Sequence, residues 1–221
     1  MQYYQVKKIF TTTWISGLTF LAGAINVSSI FLLEKTISHH TGSISKAAIA
    51  ILNLQWQQSF DLLSYVFLFF VGAFISGLTT YKRNRGVRLL HSFYPLVFGI
   101  GLIISHFAKA QLTDVLRMMA FGMGLQNGTH IRFHDILIRT THMTGYLTDA
   151  AVSFGRAFHG SKEERYKALF ITCSIFIFFL GGLFGAYIQI FQSNDAQVIV
   201  GGSYILIAFL VFIFHPKSFN F

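Results

Sequence analysis

The sequence predicts an all-α polytopic membrane protein: six transmembrane helices forming two inverted three-helix repeats, each with a short helix that dips into the bilayer. Three observations predict it. Of the 221 residues, 53% are hydrophobic and only 11% charged, whereas a soluble domain carries about 25% charged residues. Apolar stretches near the ~20 residues needed for a crossing recur along the chain. The two halves also repeat one another. SHHTGSISKAAI at 38–49 returns as THMTGYLTDAAV at 141–152, and FLFFVGAFISG at 67–77 returns as FIFFLGGLFGA at 176–186. Gly23 and Asn26 stand 101 residues before Gly124 and Asn127. A repeat of this kind governs every later assignment of elements.

The elements follow in order. Residues 1–8 are a short basic leader, and the first span runs from about Trp14 to Leu33, with Trp14 as an interfacial anchor. A signal peptide cleaved after Ala22-Gly23-Ala24 is the competing reading; the apolar run continues past that point, and Asn26 has a partner in the second half. TGSISKAAIAILNL begins a short helix of about fourteen residues, too few to cross comfortably. Span two is expected at 61–81, span three at 89–107, and span four at 112–131, polar and glycine-broken. A second TG helix follows at 144–158, then the charged loop RAFHGSKEERYK, span five at 168–190 and span six at 197–214. The whole is a single membrane domain over 1–221, with repeat one at about 9–108 and repeat two at about 110–215. Gly72/Ser76 and Gly181/Gly185 are small-residue pairs suited to helix contact, within one protomer or in a homodimer. Cys173, the single cysteine, lies inside a span and supports no disulfide framework.

Charge sets the orientation. If the TG helices do not cross, each half has three spans and the second half is upside down; if they cross, each half has four and the repeats are parallel. Three spans with the N-terminus inside put Lys7, Lys8, the Lys82–Arg88 run and the basic residues of 156–167 in the cytoplasm. They leave Lys35, Lys46, Lys109 and Arg117 outside. The positive-inside rule favours that arrangement. The net charge of +9 therefore reads as topology and not as a nucleic-acid surface. A multi-pass protein of a bacterial inner membrane with both termini cytoplasmic is expected.

Function is read from the breaks in the spans. Inverted repeats with interrupted helices are a recurrent transporter architecture, with the site near mid-membrane at the repeat interface. The expected breaks are Gly23–Ser29 and Gly122–Thr129, which bring Asn26, Ser28, Ser29, Gln126, Asn127 and Thr129. Each TG helix is expected to start at a Thr acting as N-cap, Thr41 or Thr144, followed by Gly42 or Gly145. Free N–H groups and the helix dipole there suit an anion or a carboxylate, with His39 and His142 at its edge. Lys46 and Asp149 hold equivalent places in the two TG helices, where opposite charges could attract across the repeat interface. The reading is a transporter or channel for a small anionic or carboxylate-bearing solute, needing no cofactor. Thr-Gly is also an ordinary capping signal, and the amides could simply bridge helices. The alternatives kept are a membrane-embedded enzyme or a non-catalytic scaffold.

His130, His134 and Asp135 carry the enzyme alternative. On a helix the two histidines would share a face at a spacing that can chelate a divalent metal. The first half has no matching pair, and a polar cluster at the cytoplasmic end with Arg132 is the plainer reading. A proton relay through His130 or His142 is a further alternative.

AGAINVSSI…HHTGSIS, FVGAFISG and GMGLQNGTHIR…THMTGYLTD resemble the YoaK-like family of uncharacterised bacterial inner-membrane proteins over nearly the whole chain. The resemblance implies a polytopic prokaryotic membrane protein and names no substrate. Asn26 stands where that family often has an acidic residue, and Ser43 and Tyr146 where it has Asn after the TG.

Overall fold

A computed structural model describes the backbone of residues 2–33, 37, 39–80, 85–128, 131–133 and 136–214, and side chains for most of these outside the terminal regions. The order is α1 (Gln2–Leu33), α2 (His40–Leu52), α3 (Trp56–Thr80), α4 (Arg85–Phe107), α5 (Leu112–Asn127), β1 (Ile131–Phe133), β2 (Ile136–Ile138), α6 (Met143–Ala157), α7 (Lys162–Phe191) and α8 (Ala196–Phe214). Both short TG helices are present, as α2 and α6. Span four stops early: α5 ends at Asn127, and an antiparallel hairpin pairs Ile131 with Ile138 where the helix was expected to continue. The fold is therefore helical with one small hairpin.

Among the described residues, three helices are long and apolar enough to cross a membrane: Thr12–Leu32, Trp56–Thr79 and Lys162–Phe191, with shorter apolar stretches at Phe93–Phe107 and Ala196–Leu210. The surface agrees with an apolar solvent. Phe67, Phe70, Phe74 and Leu78 form an exposed stripe on α3. Their counterparts 109 residues later, Phe176, Phe179, Leu183 and Tyr187, form the same exposed stripe on α7. Apolar faces of this extent require an apolar surrounding, so the chain is a helical membrane protein. Trp14 is buried in the core cluster with Ile15, Leu18 and Tyr204. Cys173 is exposed on α7.

The long helices pack mainly across the duplication, while each short helix packs within its own half. The most extensive contacts join α1 to α7, α3 to α5 and α4 to α8; α2 lies on α3 and α6 on α7. Glycine makes the first two possible. A Cβ on Gly23 would strike the Phe178 carbonyl of α7, and one on its counterpart Gly124 would strike the Phe69 carbonyl of α3. Gly181 is closed in the same way by the Phe20 carbonyl of α1, and its counterpart Gly72 by the Phe121 carbonyl of α5. The carbonyls are themselves equivalent, Phe69 with Phe178 and Phe20 with Phe121. One packing solution is thus used twice. Lipid gives helices no hydrophobic reason to associate, so such close backbone approach supplies the contact. The small-residue pairs expected to serve helix contact are consumed inside the chain.

Contacts along each pair give its direction. Phe20 faces Gly181 and Ala24 faces Gly185, so α1 and α7 run parallel. Asp61 pairs with Arg117, Phe69 faces Gly124 and Ala73 faces Gly128, so α3 and α5 run parallel. In the third pair the order reverses. Phe98 meets the Tyr204 ring, Gly99 meets Gly201, and Gln197 donates to Ser105 at 3.3 Å, so α4 and α8 run antiparallel.

Candidate functional site

Gln126 is where the separate helix pairs meet. It lies in the last turn of α5 and is 1% exposed. An amide side chain has two donor hydrogens and an acceptor oxygen with two lone pairs, and here all are used. Nε2 donates to the Leu18 carbonyl of α1 at 2.9 Å and to Thr140 Oγ1 at 2.6 Å. Oε1 accepts from the Tyr204 hydroxyl of α8 at 3.1 Å and from the Tyr94 hydroxyl of α4. Phe98 closes the cluster by packing edge-on against Tyr204, with ring centres 4.9 Å apart. It also lies over Gly122, where any side chain would collide with it. A buried polar group left unpaired is costly, and full pairing lets this amide sit among apolar helices.

The next residue repeats the connection. Asn127 Nδ2 donates to Thr141 Oγ1, and the Thr141 N–H donates to Asn127 Oδ1 at 3.3 Å. The end of α5 is thereby tied to the segment that enters α6. Tyr146, buried in the first turn of α6, accepts from the Arg139 N–H at 2.8 Å and holds the same segment from the other side. At the Gln126 and Thr140 positions the first half is apolar. Ile25 stands where Gln126 does and Ile37 where Thr140 does, and both are fully buried in the core.

The other expected site residues are spread out. Ser28 and Ser29 are buried in α1. The Ser29 hydroxyl donates to the Asn26 carbonyl at 2.7 Å, and the Ser28 hydroxyl has no hydrogen-bond partner among the described residues. His39, Thr41, His142, Thr144 and Asp149 are exposed, and Gly42 and Gly145 are half-buried. Thr41 and Thr144 are not N-caps. The caps are His39 and His142, neither of which makes a side-chain capping bond, and the threonines lie inside the first turn. Gly42 faces open space, whereas Gly145 is covered by the ring of His142. Lys46 and Asp149 are both exposed and make no ion pair among the described residues; α2 sits on α3 and α6 on α7, so their helices are carried by different partners.

Thr129, His130, His134 and Asp135 lie outside the described residues. Residues 131–133 are a strand, so no continuous helix puts the two histidines on one face. Among the described residues, no group of His, Cys, Asp and Glu could hold a metal.

Three features escaped the sequence reading. Tyr94 and Tyr204 looked like apolar bulk in apolar helices. His40, not His39, is the inward histidine: its ring packs edge-on to Phe69 at 4.3 Å, and neither ring nitrogen has a hydrogen-bond partner among the described residues. Arg117 gathers the adjacent ends of α3 and α5, with Asp61 at 2.9 Å, Asp114 at 2.8 Å and Ser64 at 3.1 Å. Its counterpart in the first half, 101 residues earlier, is the uncharged Ser16.

No curated protein and no solved structure matches the chain. Residues 15–212 match the profile of a family described as protein of unknown function, DUF1275. That match reaches into every helix named above and takes in both TG segments, and the chain therefore belongs to the DUF1275 family.

Proposed function

We propose that the protein is a small-solute transporter or channel of the bacterial inner membrane. It is built from six spans as two inverted repeats, and α2 and α6 dip in from opposite faces. Both termini are cytoplasmic in this reading, and the solute is anionic or carboxylate-bearing, held by the N-terminal turns of α2 and α6. His39, Thr41, Gly42, His142, Thr144 and Gly145 line those turns, and Asp149 follows one turn later.

The observation that carries the reading is the antiparallel course of α4 and α8. If α2 and α6 crossed the membrane, α4 and α8 would be the fourth and eighth crossings and would run in the same direction. If they do not cross, the six remaining helices alternate so that α1 and α7 agree, α3 and α5 agree, and α4 opposes α8. Those are the three directions the contacts give. A two-fold axis relating equivalent antiparallel spans lies in the membrane plane, the symmetry from which alternating access is built.

The packing also suggests what would move. Two clusters, α1 with α6 and α7 and α3 with α2 and α5, are each held by glycine-tight contacts, while contacts between them are sparse. Gln126 and Asn127 bridge the clusters, and Gln126 also reaches the α4/α8 pair. Rocking of one cluster against the other has to break or shift these bonds.

A thermal-shift screen of the purified protein against small carboxylates, inorganic anions and neutral solutes tests the function, since a ligand bound only by the folded state raises its stability. At least one anion is expected to stabilise, to be taken up by proteoliposomes, and to do both less well with Thr41→Val or Thr144→Val. Stabilisation by neutral solutes alone would remove the anion assignment. No uptake or efflux of any stabilising solute would remove the transporter.

A further inference from the structure

The two turns that join a TG helix to the following long helix are equivalent under the duplication, and both are apolar anchors. They differ in charge. Between α2 and α3 the chain exposes Leu52, Leu54 and Trp56, separated by Asn53 and Gln55 and followed by Gln57 and Gln58. Between α6 and α7 it exposes Phe158, at 91% the most exposed large apolar side chain described. Exposed in the same turn are Arg156, His159, Lys162 and Arg165, with Glu163 the one exposed carboxylate among them.

The basic turn is rigidly built. Gly160 takes φ +90°, a conformation suited to glycine. Ser161 caps α7 by accepting from the Glu164 N–H at 3.3 Å. Arg156 reaches Glu164 at 3.4 Å, which ties the end of α6 to the start of α7 and leaves Lys162 and Arg165 outside any ion pair among the described residues. Leading into the turn, the outer face of α6 carries Leu147, Phe154 and Phe158, spaced seven and four residues apart on one side of the helix, and all are exposed. Tyr146, Ala150 and Ser153 of the opposite side are buried.

We propose that this face is a seat for an anionic phospholipid, with an acyl chain along Leu147, Phe154 and Phe158 and the phosphate headgroup against Lys162, Arg165 and His159. An apolar stripe ending in a cluster of cations matches the two ends of such a lipid. The neutral turn after α2 offers the same apolar anchoring without a partner for a negative headgroup. The distinction stands whether or not the protein carries a solute; it needs only that the chain lies in a membrane. Basic residues beside an anionic lipid surface are worth about fivefold each in association.

The test measures binding of phosphatidylglycerol to the purified protein in non-ionic detergent by native mass spectrometry, with phosphatidylcholine and inorganic phosphate as separate arms. The native chain is expected to retain phosphatidylglycerol over phosphatidylcholine and to ignore inorganic phosphate. Lys162→Gln with Arg165→Gln is expected to lower phosphatidylglycerol retention roughly 25-fold. Phe158→Ser is expected to weaken both lipids. The changed side chains are exposed, and an unchanged melting temperature in phosphatidylcholine verifies the fold. Equal retention of phosphatidylglycerol by the native and the double variant would overturn the proposal. So would an equal loss when Gln57 and Gln58 in the other turn are changed to Ala, or binding of inorganic phosphate at the same strength.

Discussion

Gly99 of α4 and Gly201 of α8 each lie against the other's backbone carbonyl. The flanking contacts make the two helices antiparallel there. Ser105→Cys with Gln197→Cys is accordingly expected to cross-link in membranes with a short thiol reagent, because the two side chains are already in hydrogen-bond contact. Ser105→Cys with Ala208→Cys, which a parallel pair would bring to nearly the same level, is expected not to. The reverse result would remove the inverted arrangement of the repeats.

Four of the glycines that admit a facing carbonyl, Gly23, Gly124, Gly181 and Gly72, should be intolerant in matched pairs. Gly23→Ala and Gly124→Ala should each cost about 1–3 kcal/mol through forced separation of two backbones, and Gly181→Ala and Gly72→Ala likewise. Gly202 and Gly77 lie in the same class of helix with open space at the Cβ position. There the change to Ala should be neutral or stabilise by up to about 1 kcal/mol, from helix propensity. Denaturation in detergent reads both sets. Similar costs in the two sets would mean that the close approaches are not what holds the helices.

What was legible in the sequence was whatever the duplication repeats. The short helices that hold the two TG segments, the small-residue pairs and the phenylalanine runs all recur, and each appears twice in the fold; that the phenylalanines face outward comes from the structure. The partner choice was not legible, because periodicity shows that a helix has a contact face without showing which helix fills it. The end of α5 was misjudged for a related reason. Gly128 and the polar residues after it read as a break inside a span, and the Ile131-Arg132-Phe133 alternation that marks a strand is too short to stand out. The Gln126 cluster was half legible: the amides stood out, but their tyrosine partners come from helices 32 and 78 residues away. The threonine caps were misplaced by the strength of Ser/Thr at helix starts. Here the cap position falls two residues earlier, on histidine.

Lys46 and Asp149 are equivalent in sequence and carried on separate helix clusters, so their effects should be independent. A cycle of Lys46→Ala, Asp149→Asn and the double variant is expected to be additive in stability within about 0.5 kcal/mol, as for distant sites. Arg117 with Asp61 is the contrasting pair, at 2.9 Å and partly exposed. Its cycle, Arg117→Gln with Asp61→Asn, should show a coupling of about 0.2–1 kcal/mol after solvent screening. Coupling between Lys46 and Asp149 of that size would mean that α2 and α6 approach one another in a state other than this one.

The central joint makes the last prediction. Gln126→Leu leaves the hydroxyls of Tyr94, Tyr204 and Thr140 and the Leu18 carbonyl without the amide that joins them. Interhelical hydrogen bonds in membrane proteins average about 0.6 kcal/mol, so four of them suggest a loss of roughly 2–3 kcal/mol. Tyr204→Phe removes one of the two donors to Oε1 and should cost no more than about 1 kcal/mol. The first half shows what an apolar version of the joint looks like, with Ile25 and Ile37 at the equivalent places. Changing both partners should therefore be milder than the sum of the single changes: with Gln126→Leu and Thr140→Val together, the Tyr94 and Tyr204 hydroxyls and the Leu18 carbonyl lose the amide, but the bond between Gln126 and Thr140 leaves no orphan on either side. Solvent access reports the motion. If the amide ties the two helix clusters together, a cysteine at buried Ala120 should react with an aqueous thiol reagent faster in the Gln126→Leu background than in the native one. A large loss of stability with no change in that rate would leave Gln126 as a packing residue, with the joint between the clusters elsewhere.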